Sequence, residues 1–190
     1  MPKRSQKLEA EDRQQLVIPI IILLVVIVLD QITKIWAVSA LSEGSIYQLL
    51  GQLIQFKLVY NIGGALGTNL GNSYFYLISS ILILLVVLYF VYNYRRFKMI
   101  AYPMAAIAGG AIGNIADRLR IGKVIDFIDI DFFDIKVFGL NIERWWIFNI
   151  ADAAITVGII LLLLFIIFHK KEEVESEKAD NTGNPVSENS

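Results

Sequence analysis

The stretch VIPIIILLVVIVLDQITK, residues 17–34, decides how this chain folds. It is apolar from Val17 to Leu29 and then runs straight into Asp30, Gln31, Thr33 and Lys34. An apolar run this long is a membrane-span candidate, since crossing a hydrocarbon core of about 30 Å takes about 20 helical residues. The first segment, about Leu16 to Leu41, reaches that length only by taking Asp30 and Lys34 into the bilayer. Three further apolar segments follow: about Tyr74 to Tyr94, about Ile100 to Asp117 and about Trp146 to Phe168. The third is short and rich in small residues, so it needs closely packed neighbours. The basic start and the small residues near Ala37 and Ala40 would also suit a cleaved signal peptide. The uninterrupted passage into Asp30–Lys34 favours a retained helix instead.

Composition agrees with a membrane protein. Of 190 residues, 56% are hydrophobic and 18% charged, against about 25% charged in an ordinary soluble domain. The mean hydropathy is +0.59. Seventeen basic residues nearly cancel eighteen acidic ones, which excludes a nucleic-acid binder that must neutralise a phosphate backbone. There is no Cys and one His, His169. Disulfides, Cys-ligated zinc, thiol catalysis and a His-based triad are thereby excluded, and no cofactor is expected.

Lys and Arg set the expected orientation. Lys3, Arg4, Lys7 and Arg13 precede the first segment, Arg95, Arg96 and Lys98 lie between the second and third, and Lys170 and Lys171 follow the fourth. Between the first and second segments only Lys57 is basic. Both termini are therefore expected in the cytoplasm. The expected organisation is a cytoplasmic segment 1–15, a four-span region 16–168 and a disordered acidic tail 169–190. The fold class is an all-α integral membrane bundle of four helices with a small extracytoplasmic β-structure. The β-structure is read from the near-alternation of Ile54–Tyr60 and Ile128–Phe132. Asp129, Asp131 and Asp134 read as the polar face of a strand. Trp145 and Trp146 fall where an interfacial aromatic belt is expected.

Ionisable groups inside spans are functional candidates by default. Asp30, Lys34 and Asp152 lie within spans, Asp117 and Arg118 lie at a span end, and Asn114 and Asn149 join them at the same depth. Asp30 and Lys34, spaced i,i+4, form either an internal ion pair or a grip on substrate or loop. Ala105, Gly109 and Gly113, with Ala106 and Gly110, form close-packing surfaces. Asn149, Asp152 and Thr156 share a helix face, with Asp152 about six residues inside the span, roughly 9 Å down. Asp126 is an acid among apolar neighbours. Asp129 and Asp131 lack the glycine and terminal Glu of a calcium loop. Gly63, Gly64 and Gly67 lack the Walker pattern and read as a tight loop. Two classes of function fit: a membrane hydrolase using two carboxylates and a water, or a small proton-coupled transporter or channel using Asp30 and Asp152. Four spans without an internal repeat are few for a transporter.

Five motifs in order resemble the lipoprotein signal peptidase (signal peptidase II) family. They are Asp30-Gln31-Ile32-Thr33-Lys34, Asn61–Gly67, Gly109–Arg118, Val124-Ile125-Asp126-Phe127 and Phe148–Ile155. The resemblance covers about Leu16 to Phe168 and implies a bacterial inner-membrane aspartyl endopeptidase with four spans. Such enzymes remove signal peptides from diacylglyceryl-modified prolipoproteins just before the lipidated Cys, within membrane lipid, and are inhibited by globomycin. The resemblance places the catalytic pair on Asp126 and Asp152. It places polar support on Asp30, Lys34, Asn61, Gly64, Asn114, Arg118 and Asn149, with no metal. Gly64 and Leu66 stand where the family usually has Ala and Phe, and the stretch between Asp126 and Asp152 is longer than the family's usual one.

Overall fold

The computed structural model describes residues 2–63, 72–130, 135–137, 140–142 and 147–183. Trp145, Trp146, Asp131, Asp134, Gly64 and Leu66 lie outside them. The elements are α1 (Pro2–Ala40), β1 (Tyr47–Leu50), β2 (Ile54–Asn61), α2 (Ser73–Asn93), α3 (Lys98–Ile121), β3 (Val124–Ile130), β4 (Ile135–Val137), β5 (Leu140–Ile142) and α4 (Ile150–Gly183). Four helical stretches are long and apolar enough to cross a membrane: 13–40, 73–93, 98–121 and 150–169. Lipid replaces water around them, so large apolar side chains stay uncovered. Leu24, Ile83 and Leu163 are each more than half exposed.

The third span is the exception. It has the lowest mean hydropathy of the four, 1.4, and is mostly buried. It packs against α1, α2 and α4 alike. Its small residues are the cause. A Cβ on Gly109 would lie 2.8 Å from the Leu23 carbonyl oxygen and 2.9 Å from the Val26 Cβ of α1. A Cβ on Gly110 would drive into the Ala151 carbonyl oxygen of α4. Gly158 of α4 returns the contact: a Cβ there would lie 2.9 Å from the Pro103 carbonyl oxygen. The absence of side chains here lets three backbones meet, which is how membrane helices associate without a hydrophobic drive. The span is also longer than its sequence suggests. It continues a full turn past Asp117 and ends at Gly122, whose φ of 72° supplies the left-handed cap.

Three antiparallel strands in the order β1-β2-β3 form a sheet at one end of the bundle, and β4 and β5 form a separate hairpin. The sheet is seated on the end of α1 by Ala37, Leu41, Leu58, Ile125 and Phe127. Trp36 meets Phe56 edge-on at 5.3 Å. One expectation fails here. Burial alternates over Ile128–Ile130 with the opposite sense: Asp129 is buried and its two Ile neighbours are only half-buried, while Val124 through Phe127 are all buried. Asp129 is therefore not on an outer polar face. Its cross-strand neighbour is Gln55, itself buried.

α4 begins four residues later than the apolar segment. Phe148 bridges to Ile128 of β3, so the chain enters the bundle as an extended strand and turns helical only at Ile150. Asp152 thus sits in the first turn of α4, not six residues down a span. At its other end α4 continues through the tail to Gly183, where the sequence suggests disorder. Glu, Lys and Ala are good helix formers, and a helix already nucleated by a span extends cheaply.

Because Gly110 faces backbone rather than a flexible side chain, Gly110→Ala must push α4 away from α3. The variant should lose about 1–3 kcal/mol, read as a lower melting temperature in detergent with a matching loss of activity.

Candidate active site

The polar residues gather at the end of the bundle that carries the sheet. Lys34 is at their centre and is fully buried. Its ammonium lies 2.8 Å from Asp30 Oδ2, 2.8 Å from Asp117 Oδ2 and 2.9 Å from Asn114 Oδ1. An ammonium has three N–H bonds, and each is taken. The expected i,i+4 pair thus exists, but as part of a larger cluster. Asp30, also fully buried, uses its second oxygen to accept from the Ala151 N–H at 3.0 Å. That N–H belongs to the first turn of α4, one of the orphan donors every helix start leaves. Gly113 makes room for this carboxylate, since a Cβ there would collide with Asp30 Oδ2.

Asp117, at the span end, is fully buried and pairs with basic groups. It does so with Lys34 and with Arg120 at 3.0 Å, and it also accepts from the Ile125 N–H at 3.3 Å. It therefore fixes where β3 leaves α3. Two participants escape a reading by motif. Gln31 donates to Asp30, to the Gly113 carbonyl and to Asp117. Arg120 donates to Gln31 as well as to Asp117. Their signals were present, in an amide adjoining a buried acid and an i,i+3 Asp–Arg pair.

Asp126 and Asp152 come from different elements, β3 and α4, and meet around Asn149. Asn149 donates its side-chain amide to Asp126 Oδ1 at 2.7 Å, and its own backbone N–H to Asp152 Oδ2 at 3.4 Å. In return, Asp152 N–H donates to Asn149 Oδ1 at 3.0 Å. The last two bonds form a capping box, with the cap and third residue exchanging side chain for backbone. Asp126 Oδ2 accepts from Asn61 Nδ2 at 3.0 Å, and Asp152 Oδ1 accepts from Asn114 Nδ2 at 2.8 Å. Arg118 donates to the Gly63 carbonyl at 3.1 Å and acts electrostatically on both Asp152 and Asp126. Every candidate among the described residues is thus in one network. Gly64 lies outside the described residues.

The electrostatics suit acid–base work. Burial pushes the Asp126 carboxyl up to about 7, Asp152 adds to the rise, and the amides of Asn61 and Asn149 oppose it. Desolvation and a like charge both disfavour the ionised form. Asp126 points to the same side of the sheet as Asn61. On the other side, Tyr60 and Ile125 line a groove of about 400 Å³ with Lys34, Ile35, Val38, Arg120 and Ile121. That groove does not reach the two carboxylates. Among the described residues, no three His, Cys, Asp or Glu side chains are arranged to hold a metal ion.

Comparison with known proteins fits this geometry. Residues 22–168 match the sequence model of the family described as signal peptidase (SPase) II. A lipoprotein signal peptidase of Chlorobium phaeobacteroides (strain DSM 266) is 40% identical over 142 residues, covering 74% of this chain and 84% of that protein. One from Clostridium tetani is 36% identical over 160 residues, covering 84% and 97%. A solved bacterial membrane enzyme superposes with a TM-score of 0.66 at 28% identity, covering 90% of this chain and 94% of its own. A match that runs from within α1 to the end of the last span, over a fold that brings two acids together beneath a small sheet, leaves one conclusion: the chain belongs to the signal peptidase II family of membrane aspartic endopeptidases.

Proposed function

We propose that Asp126 and Asp152 are the catalytic pair, and that they cleave diacylglyceryl-modified prolipoproteins just before the lipidated Cys. The observation that carries this is their joint anchoring by Asn149, with Asp126 held up to about 7. Two neighbouring carboxylates cannot both ionise easily, so they share a proton. The ionised member takes a proton from water as the water oxygen attacks the scissile carbonyl carbon. The protonated member donates to the carbonyl oxygen, giving a neutral gem-diol. Breaking the C–N bond then needs a proton delivered to the leaving nitrogen, and the pair supplies it from the water's own proton. Asn61, Asn114 and Asn149 hold the two carboxylates in place, and Arg118 anchors the backbone at Gly63. Gly64, the next residue in the chain, is proposed as a further support of the site.

The position of the acids at the bundle's end suits a lipidated substrate. Acyl chains stay among membrane lipids while the peptide enters from the side. Globomycin, a lipopeptide, is expected to occupy the same place. Nothing favours a transporter or channel. Apart from Arg13, Lys98 and His169 at the opposite span ends, the Asp, Lys and Arg residues of the spans gather at the end that carries the sheet, and the family match points to a peptidase. The tail from Glu172 lies beyond the matched residues and is dispensable in this reading.

The direct test is incubation with a lipidated prolipoprotein, with and without globomycin. Wild type should cleave and globomycin should stop it. Asp126→Asn and Asp152→Asn should each cut the rate about 1,000-fold or more, and the double variant should be no worse than either. Asp117→Asn should lower the melting temperature while turnover stays measurable. Full cleavage by both single variants would refute the aspartyl mechanism.

The pH dependence follows from the shared proton. Asp126 holds its proton below about 7 and releases it above, so the acid role is lost as pH rises. The kcat/KM, which reports the free enzyme, should fall about tenfold per unit on the alkaline side of neutrality. A rate that keeps climbing past pH 9 would contradict this.

Both termini are placed in the cytoplasm, with the acids toward the opposite face, by the distribution of Lys and Arg. The chain has no Cys, so Ser5→Cys and Ser187→Cys can be labelled without background. Neither should react with an impermeant thiol reagent in intact cells. Labelling of either from outside would reverse the topology.

A further inference from the structure

An asparagine amide has an acceptor end and a donor end, and its neighbours decide which end faces which group. Around the two acids, each of three asparagines is held by a group that can only donate. Asn61 Oδ1 accepts from the Gly63 N–H at 2.8 Å. Asn149 Oδ1 accepts from the Asp152 N–H at 3.0 Å. In both cases a backbone N–H fixes the orientation, and the amide NH2 is turned onto Asp126. Asn114 differs. Its oxygen is held by a side chain, the Lys34 ammonium at 2.9 Å, and by Asn149 Nδ2 at 3.1 Å. Its NH2 is thereby turned onto Asp152 Oδ1 at 2.8 Å.

We propose that Lys34 is a positioning residue for peptide cleavage: by holding Asn114 Oδ1, it forces the Asn114 NH2 onto Asp152 and keeps that carboxylate oxygen an acceptor. The proposal rests on Asp126 and Asp152 being the catalytic pair. Lys34 is fully buried and all three of its N–H bonds are taken, so it neither reaches substrate nor swings away. A neutral side chain at this position would leave Asn114 Oδ1 only Asn149 Nδ2, whose two hydrogens also serve Asp126 Oδ1 at 2.7 Å and the Ile125 carbonyl at 3.2 Å, so Asn114 could turn its carbonyl toward Asp152. Two facing acceptors require a proton between them, so Asp152 would have to stay protonated to higher pH. The water-activating role would then be lost on the acid side. The charged groups around this path are Asp30 on α1, Asp117, Arg118 and Arg120 on α3, Asp126 on β3 and Asp152 on α4.

A purely structural lysine would lower stability and rate without moving the pH profile. The test is therefore a double-mutant cycle of Lys34→Met and Asn114→Ala. It is read as the acid limb of kcat/KM for a lipidated prolipoprotein, with the melting temperature followed in parallel. Each single variant should move the acid limb up by about one pH unit, as expected for losing one donor to a carboxylate. The double variant should coincide with Asn114→Ala. An acid limb that stays put in Lys34→Met, or a Lys34→Met shift that is undiminished in the Asn114→Ala background, would overturn the proposal.

Lys34→Met leaves Asp30 and Asp117 without their shared cation. If it fails to accumulate, Lys34→Met/Asp117→Asn replaces it, read against Asp117→Asn alone. Where turnover is too slow to follow, the pH dependence of the melting temperature reports the same titration. Retained cleavage by Asp126→Asn would instead refute the pair itself. An inactive Asp126→Asn with an unmoved acid limb in Asn114→Ala refutes only the role of Lys34.

Discussion

A single ammonium, placed where no water reaches it, ties this structure together. Lys34 joins Asp30 on its own helix to Asp117 and Asn114 on α3. Asp30 passes the link to α4 through the Ala151 N–H, and Asp117 passes it to β3 through the Ile125 N–H. Three helices and the sheet thus converge on one charge. The isolated desolvation of such a cation would be prohibitive, and only full pairing makes it tolerable. Removing one partner from a buried set of this kind typically costs about 3–5 kcal/mol. The same bonds that satisfy the lysine also register the elements bearing Asp126 and Asp152.

The glycines of α3 are the precondition. Pairing at 2.8–2.9 Å requires α1, α3 and α4 to approach more closely than ordinary side chains permit. Gly109 and Gly110 bring the backbones together, and Gly113 clears the volume taken by the Asp30 carboxylate. α3 is the least hydropathic span because its surface is spent on approach and polar contact rather than on lipid. α2 stands apart from this arrangement. It packs on α3 through Val87 and Val91 against Ile107 and Ala108, and Ser73 at its start donates to the Gly122 carbonyl.

Much of this was legible in the sequence, for physical reasons. Spans announce themselves by length and apolarity, and all four segments are helices. Ionisable residues at one depth can be counted from the span ends, so the cluster could be anticipated from Asp30, Lys34, Asn114, Asp117 and Asp152. Pairing across elements could not. Which acid stands beside Asp152 depends on β3 turning back from Gly122, and periodicity offers Asp117 as readily as Asp126. Only the family resemblance pointed to Asp126. The two-sided burial of β3 was illegible too, because Asp129 reads as a solvated residue until Gln55 is placed across from it. The start of α4 was misjudged since apolarity continues through Trp146–Phe148 in the sequence, while the backbone at Phe148 is committed to β3.

The capping box at Asn149 has one more consequence. The amide that closes the first turn of α4 is also the one that grips Asp126. Helix ends are the first part of a helix to fray, and here fraying by a single turn separates the two acids. The spacing of the two proposed catalytic acids therefore depends on the local closure of residues 149–152 as well as on the assembly of the spans.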